Sequence, residues 1–187
     1  PEIMINQYGA DAVRWFILSD SPPEKDVQWS DSGVVSANKF LQKIWNINCL
    51  ISNRKEKNTE EKIENKFLLD INIYVNKIDS SISDFRFNVS IAYFYEVYKY
   101  FKDYFEKNIS NKVMKECIVK IMKLMIPFTP HLAHECLELF NCDTINEWPI
   151  VEKNTLTEIK LPIQINAKTR DIITIKKDLG EKQINEI

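Results

Sequence analysis

From Ala10 to about Phe140 apolar residues recur every three or four positions, the spacing of helices that bury one face. Ala10–Leu18 reads as a short helix on which Asp11 and Arg14, one turn apart, can pair. The stretch SPPEKDVQWSDSGV interrupts it at Ser21. Pro22-Pro23 ends the helix, and the alternation that follows predicts Val27 and Trp29 pointing inward. Ser30 or Asp31 is expected to cap the next helix, with Ser32 a third possible acceptor. From Asp31 to about Ser52 a broad stripe runs through Val34, Ala37, Phe40, Leu41, Ile44, Trp45, Ile47 and Ile51. Lys39, Gln42, Lys43, Asn46 and Asn53 fall opposite it.

After the turn NRKEKN, Asn58 and Glu61 have capping-box spacing and open a helix carrying Ile63, Phe67, Ile71, Tyr74, Val75 and Ile78. A third long helix begins at Asn88, with Ile91, Tyr95, Tyr98, Phe101 and Phe105 on its inner side. These rings recur at helical spacing, which favours core packing over base stacking. The fourth, Asn111 to Met125, buries Met114, Cys117, Ile118, Ile121, Leu124 and Met125, while Lys112, Lys115, Lys120 and Lys123 gather opposite. A solvated face and a phosphate-facing one explain those four lysines equally well. In PFTPHLAHECLELF, Thr129 is expected to cap and Pro130 to take the first helical position. Past Phe140 the pattern changes, and IKLPIQINAKTRDIITIKK alternates as two strands with a turn at Asn166-Ala167. The predicted architecture is mainly α: an up-and-down bundle of four long helices and a shorter fifth, followed by a β-hairpin belonging to a truncated α+β domain.

Composition narrows the functional classes. The 187 residues are 44% hydrophobic and 28% charged, with a formal net charge of −2, so bulk charge gives no reason to expect DNA or RNA and only a local patch can. No apolar run is long enough for a membrane span, which makes the cytoplasm the expected compartment. Cys49, Cys117, Cys136 and Cys142 lack CxxC spacing and suit reduced thiols. Three glycines, at 9, 33 and 180, cannot build a phosphate-cradling loop. His131 and His134 share a helical face, but no further ligand is placed to complete a metal site, so none is expected. No nucleophile, base and orienting group can be nominated together, and no catalytic residue is assigned.

The segment YGADAVRWFILSDSPPEKDVQWSDSGVVSANKFLQKIW, Tyr8 to Trp45, resembles the part of bacterial-type leucyl-tRNA synthetases that follows their KMSKS loop. PFTPHLAHE (Pro127 to Glu135) resembles the last helix of that family's anticodon-binding bundle, with His134 where relatives often carry glutamate. EWP (Glu147 to Pro149) matches the exit from the bundle, and QINAKTRD (Gln164 to Asp171) a hairpin of the small C-terminal domain, with Ala167 replacing the usual glycine. PPEKD with WSDSGV points to the leucine enzymes. The anticodon-binding bundle of a valyl or isoleucyl relative, which shares the YGAD-like and PFTPHLAE-like pieces, is the alternative, as is a purely structural helical scaffold or interaction domain.

The resemblance implies a C-terminal piece of a class I leucine–tRNA ligase, divided as 1–30 (end of the stem-contact region), 31–150 (helical bundle) and 151–187 (linker and start of the C-terminal domain). Leucine tRNA is the implied partner, together with the catalytic and editing domains of the same polypeptide, and no membrane. ATP and Mg2+ are implied for the full-length enzyme and no cofactor for this chain, which alone is expected to be inactive. Lys39, Lys43, Lys112, Lys115, Lys168 and Arg170 are the candidate tRNA contacts.

Overall fold

A computed structural model describes residues 2–145, 147–149, 158–165 and 168–176. Contacts divide the chain into units 1–152 and 153–187. The first is helical: α1 (Glu2–Tyr8), α2 (Ala10–Asp20), α3 (Asp31–Ser52), α4 (Glu61–Ser83), α5 (Phe87–Tyr104), α6 (Asn111–Met125) and α7 (Pro130–Glu138). The four long stripes fold into a bundle in which α4 packs on both α5 and α6, and α3 touches α2, α5, α6 and α7. No strand interrupts the described residues between Asp31 and Phe140.

Local chemistry sets where these helices start and stop. Ser30 Oγ accepts the Gly33 amide at 3.2 Å to open α3, and Ser110 Oγ accepts the Val113 amide at 3.3 Å to open α6. The start of α4 departs from the capping-box expectation. Glu60 is its N-cap and no side chain caps it. Asn58 sits too far outside the first turn to serve. Instead the Glu60 amide donates to the Asn108 carbonyl at 2.9 Å, tying this end of α4 to the loop after α5. At the other end of α4, Phe85 adopts φ 56. Its amide donates to Ile82 and the Arg86 amide to Ser81, the paired bonds that close a helix through a left-handed residue. Asn141 (φ 50) ends α7 in the same way, its amide on Glu138 and that of Cys142 on Leu137.

The core is built around rings. Trp15 of α2 is fully buried, with Phe40, Phe94, Tyr95 and Phe128 at centroid distances of 5.3–6.3 Å. Towards the far end, Phe67 of α4 meets Tyr100, Phe101 and Tyr104 of α5. Trp45 is only half-buried, and Trp29 and Val27, both expected inside, are 46% and 37% exposed. The reason is competition for space: Trp15 and Phe16 of α2 already fill the groove beside α3. Trp29 therefore lies over the outside, edge-on to Phe16 at 5.6 Å, with its Nε1 donating to Asp31 at 2.7 Å.

The second unit contains β1 (Glu158–Ile165) and β2 (Lys168–Lys176), paired antiparallel. Ile163 faces Asp171 while Gln164 faces Thr169, so the register shift leaves Arg170 as the extra residue of a bulge. The expected turn at Asn166-Ala167 lies outside the described residues.

Candidate nucleic-acid interface

Lys39 and Lys43 leave α3 one turn apart and are exposed. They line a cleft of about 390 Å³ with Ser36 and Phe40 of α3 and with Tyr95 and Tyr98 of α5. Among the described residues neither lysine is ion-paired. Phe40 is buried and forms the floor, its centroid 3.9 Å from that of Tyr95 at an interplanar angle of 38°. Tyr98 meets Phe40 edge-on at 5.7 Å. Tyr95, expected on the inner side of its helix, is 43% exposed. Trp15 occupies the inner position next to it and donates from Nε1 to the Tyr95 hydroxyl at 3.3 Å. The result is a positively charged mouth over an aromatic wall.

A larger cleft of about 770 Å³ carries Arg54, Lys55 and Lys57 beside Phe105 and Glu106, but its cations are mostly spent inside the protein. Arg54 donates to the carbonyls of Phe105 (2.9 Å), Lys107 (2.7 Å) and Ile109 (2.8 Å) and to Asn111 Oδ1 (2.6 Å). Burial lowers its pKa, opposed by Glu56 and Glu106. Lys57 pairs with Glu106, whose carboxyl is held below its ordinary range by that hydrogen bond and charge. Charge already neutralised in this way is a poor anchor for phosphate.

The lysine face of α6 is less uniform than its wheel implies. Lys112 is exposed and Lys115 half-buried, and neither lines the α3–α5 cleft. Lys120 reaches Asn72 Oδ1 at 3.4 Å. Lys123 is buried and donates to Thr144 Oγ1 at 2.7 Å, because the segment after α7 folds back over it. Lys168 and Arg170 are described only by their backbone in β2. Tyr95 lines the cleft although the sequence pattern placed it on the inner side of α5, and nothing in the spacing of that helix sets it apart from its buried rings.

Two segments far apart in sequence meet behind this site. Asp11 and Arg14 do not pair with each other. Asp11 accepts the Leu132 amide and faces His131 Nδ1, while Arg14 donates to the carbonyls of Pro127 (2.6 Å) and Phe128 (3.3 Å). Asp11 points across to the first turn of α7 and Arg14 to the turn before it, where backbone groups attract them more strongly than a surface ion pair can.

The profile described as "Anticodon-binding domain of tRNA ligase" matches residues 64–185. The chain belongs to the family of anticodon-binding domains of tRNA ligases. Among curated proteins it is 34% identical to the leucine–tRNA ligase of Fervidobacterium nodosum over 98% of its length and 24% of that protein. To the leucine–tRNA ligase of Thermosipho melanesiensis it is also 34% identical, over its whole length and 24% of that enzyme. The chain thus spans about a quarter of the length of the curated relatives it matches. The crystal structure of the ternary complex of Agrobacterium radiobacter K84 agnB2 LeuRS with tRNA and LeuAMS superposes on all of the chain and 25% of that protein, with a TM-score of 0.78 at 24% identity. The matched quarter of that protein and this chain share one fold.

Proposed function

We propose that this anticodon-binding domain is the tRNA-binding C-terminal portion of a leucine–tRNA ligase and holds leucine tRNA through its phosphates. The observation that carries this is the pair of exposed lysines, Lys39 and Lys43, without an ion pair among the described residues, at the mouth of an aromatic cleft in a protein of net charge −2. A local positive patch on an acidic molecule steers a polyanion to one place. Leucine–tRNA ligase relatives covering the whole chain supply the choice of tRNA. Lys112, Lys115, Lys168 and Arg170 are further proposed contacts.

The same reading divides the chain into 1–30, 31–150 and 151–187, with the hairpin opening a small α+β domain. It assigns the reaction to catalytic and editing domains elsewhere in the polypeptide. ATP and Mg2+ go with them, since glycines at 9, 33 and 180 offer this chain no phosphate loop. A cytoplasmic location fits, and no helix among the described residues is long and apolar enough to cross a membrane.

The test is a salt titration of binding to leucine tRNA by fluorescence anisotropy. Losing two phosphate contacts in Lys39→Ala/Lys43→Ala flattens log affinity against log salt by roughly 0.7 to 0.9 per contact. An unchanged slope removes the lysines from the interface. No binding by the wild type even at low salt sinks the reading altogether.

A further inference from the structure

We infer that the α3–α5 cleft is a nucleotide site that takes one unstacked base of single-stranded RNA against Tyr95, with Lys39 and Lys43 holding the flanking phosphates. It rests on the reading of the chain as an RNA binder, and adds to it a kind of contact that phosphates alone do not require.

Four observations converge. Tyr95 is 43% exposed although Trp15 and Phe40, the rings packed on it, are buried, so part of its side chain opens to the cleft. The ring is held before any ligand arrives, by Phe40 beneath it and by the hydrogen bond from Trp15 to its hydroxyl. A preorganised ring loses little freedom on binding. The cleft, at about 390 Å³, has room for a base and its sugar but not for a base pair within its helix. Lys39 and Lys43 stand about 6 Å apart along the helix axis, comparable with the distance between neighbouring phosphates. Among the described residues that line the cleft none is acidic. Glu96, next to Tyr95 in sequence, lies near Tyr74 on α4, where burial, reinforced by its negative charge, raises the Tyr74 phenol's pKa.

Duplex RNA hides its base faces in the stack, so only a loop or an unpaired end can reach an aromatic wall. Stacking is also tolerant of sequence, because every base has a π-face. The cleft is therefore a site for an unpaired nucleotide rather than a reader of base identity.

The experiment compares the 187-residue chain with Tyr95→Leu, Tyr95→Phe and Lys39→Ala/Lys43→Ala. The probe is a fluorescein-labelled ten-nucleotide RNA without self-complementarity, alone or annealed to its complement. Wild type should bind the single strand more tightly than the duplex. Tyr95→Leu should lose roughly 5- to 150-fold in single-strand affinity, the usual worth of one base–aromatic stack, with the salt slope unchanged and duplex binding unaffected. Tyr95→Phe, which keeps the ring on Phe40 but loses the Trp15 bond to its hydroxyl, should retain most of the single-strand affinity that Tyr95→Leu loses. Photocrosslinking of a 4-thiouridine-substituted strand to wild type needs no variant to fold, and should mark the peptide containing Tyr95. If Tyr95→Leu binds like wild type, or the crosslink maps away from the cleft, the base site is wrong, even where the double lysine variant shows that the phosphate reading stands. If the wild type binds neither this strand nor tRNA, both readings fall together.

Discussion

Asp11 caps α7 from 121 residues away: its Oδ2 accepts the Leu132 amide at 2.8 Å, and its Oδ1 lies 3.0 Å from His131 Nδ1. Thr129 holds the N-cap position, yet its hydroxyl makes no capping bond and reaches back towards the Met125 carbonyl. The acid that satisfies the amide of the third residue of α7 is supplied by α2, and with it the partial positive charge at the helix start meets a negative one. Replacing Asp11 by Ala should cost about 1 to 3 kcal/mol, a lost cap plus a buried amide left without an acceptor. Asp11→Asn keeps an acceptor oxygen and should cost less than about 1 kcal/mol. Urea unfolding of both variants checks the order, and equal losses would mean that charge, not the amide bond, is what matters.

Arg54 does for the α5–α6 loop what Asp11 does for α7. Three carbonyls and Asn111 Oδ1 converge on one guanidinium, and Asn111 Nδ2 returns a bond to the Arg54 carbonyl at 2.6 Å. A planar fork with five N–H groups fits this cage, and a lysine ammonium does not. Arg54→Met should destabilise by on the order of 3 kcal/mol, and Arg54→Lys should recover less than half of that. Full recovery by lysine in thermal or urea unfolding would show that the charge alone suffices.

Gly33, rather than Trp29, is the sensitive residue of WSDSGV. A Cβ built on Gly33 comes within 2.4 Å of the Phe16 ring, and that ring is buried beneath Trp29. Gly33→Ala must displace Phe16 and should cost about 1 to 3 kcal/mol. Trp29→Ala forfeits one edge-on ring pair and a bond to Asp31 at the surface, for about 1 kcal/mol. Unfolding midpoints in urea should rank the two in that order, and the reverse ranking would mean that Trp29 is a core residue after all.

How far the fold was legible follows from where each determinant sits. α3 and α6 were readable because stripe and serine cap lie within one segment, and α6 has the expected ends at Asn111 and Met125. The four-helix bundle follows from stripes of that kind. What escaped was decided across the chain. Asp11 and Arg14 have the spacing of an ion pair, and only the fold reveals that unsatisfied groups near Pro127 and Leu132 compete for them. Alternation gave Trp29 a direction but could not show that Trp15 and Phe16 already fill the space. Phe85 takes a left-handed conformation that glycine usually marks, so this helix stop carries no compositional sign. In the candidate site the lysines were visible as an unpaired polar face. Tyr95 was not, because helical spacing alone does not tell a buried ring from a half-open one.

Cys136 provides a pH signature of the packed core between α3, α6 and α7. Burial, reinforced by the negative charge that Cys49 and Glu135 contribute, pushes its thiol up to about 12. In the unfolded chain the thiol returns to about 8.5. Above that value the unfolded state ionises while the folded state keeps its proton, so the folded form binds more protons and stability falls as pH rises. Below about 8.5 the thiol is protonated in both states and contributes no pH dependence. The slope approaches about 1.4 kcal/mol per pH unit and persists until the folded thiol itself ionises. Cys136→Ala carries a constant loss from the missing sulfur but not this slope. Other groups that titrate in the same range are common to both proteins and cancel in the difference. The stability of wild type minus that of Cys136→Ala, from urea unfolding at pH 8 and pH 10.5, should therefore fall by about 2 kcal/mol. Parallel pH profiles would mean that the native thiol ionises as freely as the unfolded one, and so that solvent reaches Cys136 in the folded bundle.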